Sequence, residues 1–326
     1  MRSMSILIGW VAALAGFFSS SAFAQGDASA FPARPVTIVV PYAAGGIAGN
    51  ETLVFTGKMS AITGQQFLVD YKAGATGTIG TAYVAKAKPD GYTLLVVTGG
   101  FTIFPAFYKD LPFDTVKDFA PVSWLSQRTA VLLVHAALPA KNFAEYIAYV
   151  KANPGKLNFG TAGAGGVNHL AGAWIDSATN TRVTYVHFKG TPLTEVAAGR
   201  IDVIGTGLLS AMPFIKAGKV RAVALMGDER SSLLPGLGTI AEQGVPGYNF
   251  ISWLGIVAPG GTPPAIVSKL SEGFAKVARL PEVANAMEAE GGKSIGSTPA
   301  QLRQLIVTEI DRWKKVAQDS GIKLEE

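Results

Sequence analysis

The sequence predicts an α/β protein of two lobes, each built on a doubly wound, mainly parallel sheet. Short β-branched runs alternate with helical patterns, glycine-rich loops join the two, and the whole alternation restarts part-way along the chain. The 326 residues contain no cysteine and are 48% hydrophobic, so the fold must rest on large apolar cores rather than on disulfides or thiolate metal sites.

The first run, Val36-Thr37-Ile38-Val39-Val40, is stopped by Pro41 and reads as a buried parallel strand. A glycine loop, Ala43-Ala44-Gly45-Gly46, leads into a helical pattern over residues 50–63, with Asn50 or Thr52 as its N-cap. Residues 66–69 read as the next strand. A second glycine loop, residues 74–80, opens a helix over 78–87, which the turn Lys88-Pro89-Asp90-Gly91 ends. Residues 92–97 form a strand and residues 98–104 the loop after it.

The pattern then begins again. A strand over 130–134, a helix over 143–153 stopped by Pro154-Gly155, and a strand over 157–159 lead to the third glycine loop, residues 160–166. Asn168 is placed to cap a helix over 169–178. Strands are expected over 184–188, 202–204, 220–225 and 254–258, and helices over 192–198, 211–217, 264–278 and 299–320. The last segments return to the first lobe.

In open parallel sheets ligands bind beyond the carboxyl ends of the strands. The first and third loops leave the sheet at that edge, where helix N-termini expose backbone N–H groups and glycine lets an anion approach. These loops contain no Asp, Glu or Cys, which favours holding a carboxylate over transforming it. His169, just beyond the third loop, is the best placed of the three histidines to touch a ligand; His135 reads as structural, and His187 as packing or a supporting hydrogen bond.

Residues 1–24 carry one early cation (Arg2), an apolar run over 6–18 and Ala22-Phe23-Ala24 before Gln25, the pattern of an export leader cut after Ala24. The alternative is a retained anchor, since the uncharged window 3–26 is nearly long enough to span a bilayer. The net charge of +5 is scattered, with Lys314-Lys315 the one adjacent basic pair, so nucleic-acid binding is not expected. No Gly-x-Ser-x-Gly or His-Glu-x-x-His occurs, residues 163–168 lack the third glycine of a dinucleotide fingerprint, and Gly292-Lys293-Ser294 has Met287 where a P-loop needs glycine. Neither catalytic residue nor metal nor cofactor is expected.

Val39-Val40-Pro41-Tyr42-Ala43-Ala44-Gly45-Gly46, residues 74–80, Lys88-Pro89-Asp90-Gly91-Tyr92, Phe113-Asp114-Thr115-Val116-Lys117-Asp118-Phe119, residues 160–172, Phe188-Lys189-Gly190 and Ala258-Pro259-Gly260-Gly261-Thr262-Pro263 resemble the motifs of the Bug-type substrate-binding proteins of tripartite tricarboxylate transporters. The resemblance covers nearly the whole chain after the leader. It implies a periplasmic-binding-protein (Venus flytrap) architecture, with lobe 1 formed by residues 31–125 plus 253–326 and lobe 2 by 126–252. It further implies capture of a small organic carboxylate by backbone amides, small hydroxyls and water, and delivery to a membrane permease. A ligand-sensing protein of the same fold that signals to a partner is the alternative. The chain is expected to act as a monomer.

The candidate ligand-binding residues are Tyr42, Ala43, Gly45, Gly46, Ile47 and Asn50; Thr98, Phe101 and Thr102; Thr161, Ala162, Gly165, Gly166, Asn168 and His169; and Lys189, Gly190 and Thr206. Phe101 and Phe104 either line an apolar wall suited to an aromatic or long-chain carboxylate or pack in the core; a di- or aromatic carboxylate is the expected ligand, and Lys189 either meets it or is a solvated strand-end cation. Family members carry a hydroxyl and an aspartate directly after the first Gly-Gly and an aspartate where Thr206 stands here. Ile47-Ala48-Gly49-Asn50-Glu51 and Thr206 therefore argue against an amino-acid ligand, whose ammonium would need such a carboxylate.

Overall fold

The computed structural model describes residues 30–108, 110–289 and 291–322; the leader assigned to residues 1–24 lies outside them. In chain order come β1 (Val36–Val40), α1 (Ile47–Thr63), β2 (Phe67–Tyr71), α2 (Thr78–Ala85), β3 (Thr93–Thr98), α3 (Gly99–Phe107) and β4 (Phe119–His135). The second half contains α4 (Phe143–Ala152), β5 (Asn158–Thr161), α5 (Val167–Thr179), β6 (Thr184–His187), α6 (Leu193–Ala197), β7 (Val203–Gly207), α7 (Leu208–Lys216) and β8 (Val220–Leu225). The chain ends with β9 (Ile251–Pro259), α8 (Pro264–Ala278), α9 (Pro281–Ala289), β10 (Gly292–Ser294) and α10 (Pro299–Ser320).

The strand order is β2-β1-β3-β9-β4-β7-β5-β6, with β8 and β10 also paired to β4. Parallel pairing holds within β2-β1-β3 and within β7-β5-β6, as the alternating strand and helix pattern requires. The expectation of a mainly parallel sheet is corrected where the two halves meet: β9 runs antiparallel to β3 and β4, and β4 runs antiparallel to β7 and β8, so the sheet is mixed.

The join is one long strand. β4 extends for 17 residues where the sequence pattern predicts only its apolar end, residues 130–134. Its first part pairs with β9 down to Thr129–Ile251, and Ala130–Gly207 starts the pairing with β7. Polar residues hide the first part from a hydrophobic pattern, yet their groups are satisfied: Ser123 Oγ donates to the Ser297 carbonyl at 2.9 Å, and Ser126 Oγ to Glu51 Oε2 at 2.7 Å.

Both faces of the first sheet are covered, which explains the unbroken apolar reading of β1. Val36, Ile38 and Val40 pack with Phe55 and Met59 of α1 and Phe274 of α8, while Val39 faces Leu95, Val97 and the rings of Phe101, Phe104 and Phe119. In the second half Leu132 and Val134 point to the core holding Phe143, Phe159 and Leu170, and Val131 and Leu133 to the opposite one. α10 serves both halves: Leu302, Ile306 and Ile310 join the core around Val39, whereas Trp313 and Val316 join the core around Leu132.

Candidate functional site

Two glycine loops give the two halves matching helix starts. After β1 the chain passes through Gly45, at φ +81°, to Gly46, which caps α1 at φ −78°, ψ 166°. After β5 it passes through Gly163 and Gly165, at φ +141° and +66°, to Gly166, which caps α5 at φ −71°, ψ 162°. Only glycine takes the positive angles without strain, and neither cap offers a side chain to its own helix. The first residues of the two helices, Ile47 and Val167, line one cleft of about 390 Å³.

Two more helix starts reach the same hollow: Gly99 and Gly100 of α3, and Leu208, Leu209 and Ser210 of α7 after its cap Gly207. Four macrodipoles thus aim their positive ends at one space, which favours a negative ligand. Arg128, Thr129 and Ala130 of β4 and Ile251 and Ser252 of β9 form the wall where the paired strands cross between the halves.

Side chains behind the lining hold it in place. The Tyr42 and Thr98 hydroxyls are 2.7 Å apart, and burial raises the phenol's pKa. Asn168 Nδ2 donates to the Gly205 carbonyl at 3.1 Å, fixing the first turn of α5 to β7. His169 Nδ1 accepts the Gly165 N–H at 3.0 Å, so its proton sits on Nε2. Burial, followed by the neighbouring His187, lowers the His169 pKa to about 4 and keeps the ring neutral.

Two charged clusters border the cleft. Arg128 forms an ion pair with Glu51, which is 3% exposed and also bound by Ser126. Glu309 of α10 is buried against the cleft floor, where Oε2 lies 2.9 Å from both Thr102 Oγ1 and Trp253 Nε1. Burial pushes its carboxyl pKa upward, outweighing the hydrogen bonds from Trp253 and Thr102 and the charge of Arg312.

Of the expected ligand-binding residues, Ile47, Thr98, Asn168 and Thr206 line the cleft, and Tyr42 stands one hydrogen bond behind it. Ala43, Gly45 and Gly46 form the exposed turn leading into Ile47; Asn50 is exposed on α1, which starts earlier than its sequence suggests because Gly46 is the cap. Thr161 and Gly165 are buried, Ala162 is exposed, and Gly166 rather than Asn168 caps α5. Lys189 and Gly190 are exposed outside the lining, next to Thr191, which belongs to it.

Phe101 and Thr102 turn away from the cleft because residues 99–107 form a helix instead of a loop. Phe101 packs edge-on against Phe104 and Phe119, at centroid separations of 6.4 and 5.3 Å, so the core alternative holds for both phenylalanines. The second glycine loop also stays outside the lining: a Cβ on Gly80 would lie 2.8 Å from the Lys72 carbonyl, which makes that glycine a packing residue. Arg128, Glu309 and Trp313 are absent from the sequence-based set. A signal for Glu309 was present, since it interrupts the apolar stripe Leu302, Ile306, Ile310, Trp313 and Val316.

A second hollow of about 520 Å³ lies on the second half alone, bounded by Ile215, Val220, Leu234 and Leu237. Its one cation, Arg221, is bonded to the carbonyls of Ala136, Leu138 and Ala140, and none of the cleft's glycine loops reaches it. No cluster of His, Cys, Asp or Glu fit for a metal occurs among the described residues, and no helix among them is long and apolar enough to cross a membrane.

The family model for the tripartite tricarboxylate transporter family receptor matches residues 53–322. The chain belongs to this receptor family. Its relatives include a UPF0065 protein in the tcbD-tcbE intergenic region of Pseudomonas sp. strain P51, 36% identical over 290 residues, with 88% of this chain and 86% of the relative covered. Among solved structures the receptor is similar to an R. palustris protein with adipate (32% identity, TM-score 0.76, 90% and 99% of the two chains covered). It is also similar to the periplasmic binding protein BugD (29%, TM-score 0.74, 90% and 100%) and to MatC of Rhodopseudomonas palustris with bound malate (32%, TM-score 0.73, 88% and 99%). The receptor therefore has the two-lobed periplasmic-binding-protein fold, in a family of periplasmic solute-binding proteins and not of enzymes.

Proposed function

We propose that this receptor captures a small organic carboxylate in the cleft between its lobes and delivers it to a tripartite tricarboxylate-type membrane permease. The observation that carries this reading is the convergence of the first turns of α1, α3, α5 and α7 on one hollow. Backbone N–H groups at such ends bind a carboxylate without a base or nucleophile to transform it. The adipate and malate held by the two R. palustris proteins support the same ligand class.

The lobes divide as residues 31–125 plus 253–326 and residues 126–252, and closure turns on the pair Arg128–Ser252, where β4 and β9 cross. Val167 already sits beside Gly99, and Asn168 approaches Ile47 as the halves close. The receptor is exported as a monomer, its leader cut after Ala24. Thr206 in the cleft supplies a hydroxyl where an ammonium-binding carboxylate would otherwise stand, in keeping with an acid that carries no amine.

A thermal-shift series with adipate, malate, citrate, benzoate and glutamate tests this. A ligand at 100 times its Kd adds roughly 2.7 kcal/mol to stability. At least one of the four acids without an amine raises the melting temperature; no shift, or a shift with glutamate alone, contradicts the proposal.

A further inference from the structure

We propose that Glu309 is carried as the neutral acid, and that its proton positions the Thr98–Gly100 edge of the cleft and lets that edge take an anion. Thr102 Oγ1 has a single hydrogen, yet it lies 2.7 Å from the Gly99 carbonyl oxygen and 2.9 Å from Glu309 Oε2. Trp313 Nε1 donates to Thr102 Oγ1 at 3.2 Å and Trp253 Nε1 donates to Glu309 Oε2 at 2.9 Å, so neither supplies the missing hydrogen. With an ionised Glu309, one of the two short oxygen contacts of Thr102 would have none.

A proton on Oε2 completes the set. Glu309 donates to Thr102, the Thr102 hydroxyl donates to Gly99, and the two lone pairs of Oγ1 accept from Glu309 and Trp313. Glu309 is 2% exposed, and a buried carboxyl favours the uncharged form. The elements packed around it offer few charges. α3 presents Thr102 and β9 presents Trp253, both neutral; α5 carries the neutral His169; β4 brings Arg128, itself paired with Glu51. On α10 Arg312 stands 3.8 Å from Oε1, but its Nη1 donates to the Asn249 carbonyl at 2.9 Å and its plane lies over Trp174.

The chain of hydrogen bonds reaches the lining through Gly99, whose added Cβ would be 3.9 Å from Glu309 Oε2. A negative charge so close behind Gly99 would repel a carboxylate docking beside it and attract an ammonium; a neutral acid does neither. This consequence rests on the carboxylate reading above and narrows it to acids without a cationic group at that edge.

The test compares wild type with Glu309→Gln, whose neutral amide sets either its oxygen or its NH2 where Oε2 meets both Thr102 and Trp253, so it serves one of the two and removes the carboxyl band. Near neutral pH the wild-type infrared spectrum contains a protonated-carboxyl C=O band that the variant lacks. The band persists when adipate saturates wild type. Absence of the band overturns the proposal. So does a band that vanishes when adipate binds, which would leave a negative charge beside the docked acid. If wild type binds no carboxylate at all, the functional reading fails, while the band of the ligand-free protein still decides the proton.

Discussion

Gly46 and Gly166 hold nearly the same backbone conformation at corresponding points of the two halves, φ/ψ of −78°/166° and −71°/162°, and the residue after each lines the shared cleft. A loop that turns a strand into a helix without a side-chain cap leaves its first amides to whatever enters. This relationship lets binding be separated from folding.

Replacing Gly46 or Gly166 by Asp fits sterically, since an added Cβ meets nothing nearer than the Ala43 carbonyl at 3.6 Å or the Gly163 carbonyl at 3.4 Å. Aspartate is a favoured N-cap, so the melting temperature stays level or rises. Its carboxylate occupies the amides that the ligand needs, and adipate affinity measured by calorimetry falls at least about tenfold. An Asp variant that binds as wild type does would remove the amides from the site.

Much of this was legible in the chain. β1, β8, α8 and α10 stand where their β-branched runs, proline starts and amphipathic stripes put them, and the glycine loops before Ile47 and Val167 gave two sides of the cleft. Other parts were not. The hinge half of β4 is polar in sequence because Ser123, Ser126 and Arg128 find partners on α1 and beside α10 that no local pattern reveals. Residues 98–104 looked like a loop because of Gly99-Gly100, whereas Thr98 accepts the Gly100 N–H at 3.3 Å and starts a helix that buries Phe101 and Thr102. Glu309 reaches the site from a position 207 residues after Thr102.

The pair Glu51–Arg128 fastens α1 to the crossing strand. Removing one partner of a buried ion pair costs about 3–5 kcal/mol. Glu51→Ala therefore lowers the unfolding free energy in urea by that order, and an effect under about 1 kcal/mol, the range of an exposed pair, would show the contact to be superficial.

His169 ties acid sensitivity to the third loop. Its folded pKa is depressed from 6.5 to about 4, so the unfolded chain binds the proton first as pH falls. The stability it contributes is complete above pH 6.5 and is lost as pH drops through about 4. Glu309, with a raised pKa, acts in the opposite sense: its contribution is complete below its unfolded value of 4.5 and shrinks as pH rises above it. His169→Gln flattens the melting-temperature profile between pH 6.5 and 4, and an unchanged profile would remove the buried neutral imidazole from the account.

Phe101 tests the boundary between core and cleft. Its ring is 2% exposed, and Phe101→Ala leaves a cavity costing about 3–5 kcal/mol. Benzoate and adipate affinities change in parallel in that variant. A loss confined to benzoate would return the ring to the ligand.

The most direct measurement is an amide-resolved nuclear magnetic resonance titration with adipate. The backbone N–H signals of Ile47, Gly99, Gly100 and Val167, which line the cleft from both halves, are expected to shift together along one saturating curve. Shifts confined to the hollow around Leu234 and Leu237, with those four signals unmoved, would contradict the claim that opposed helix starts hold the ligand.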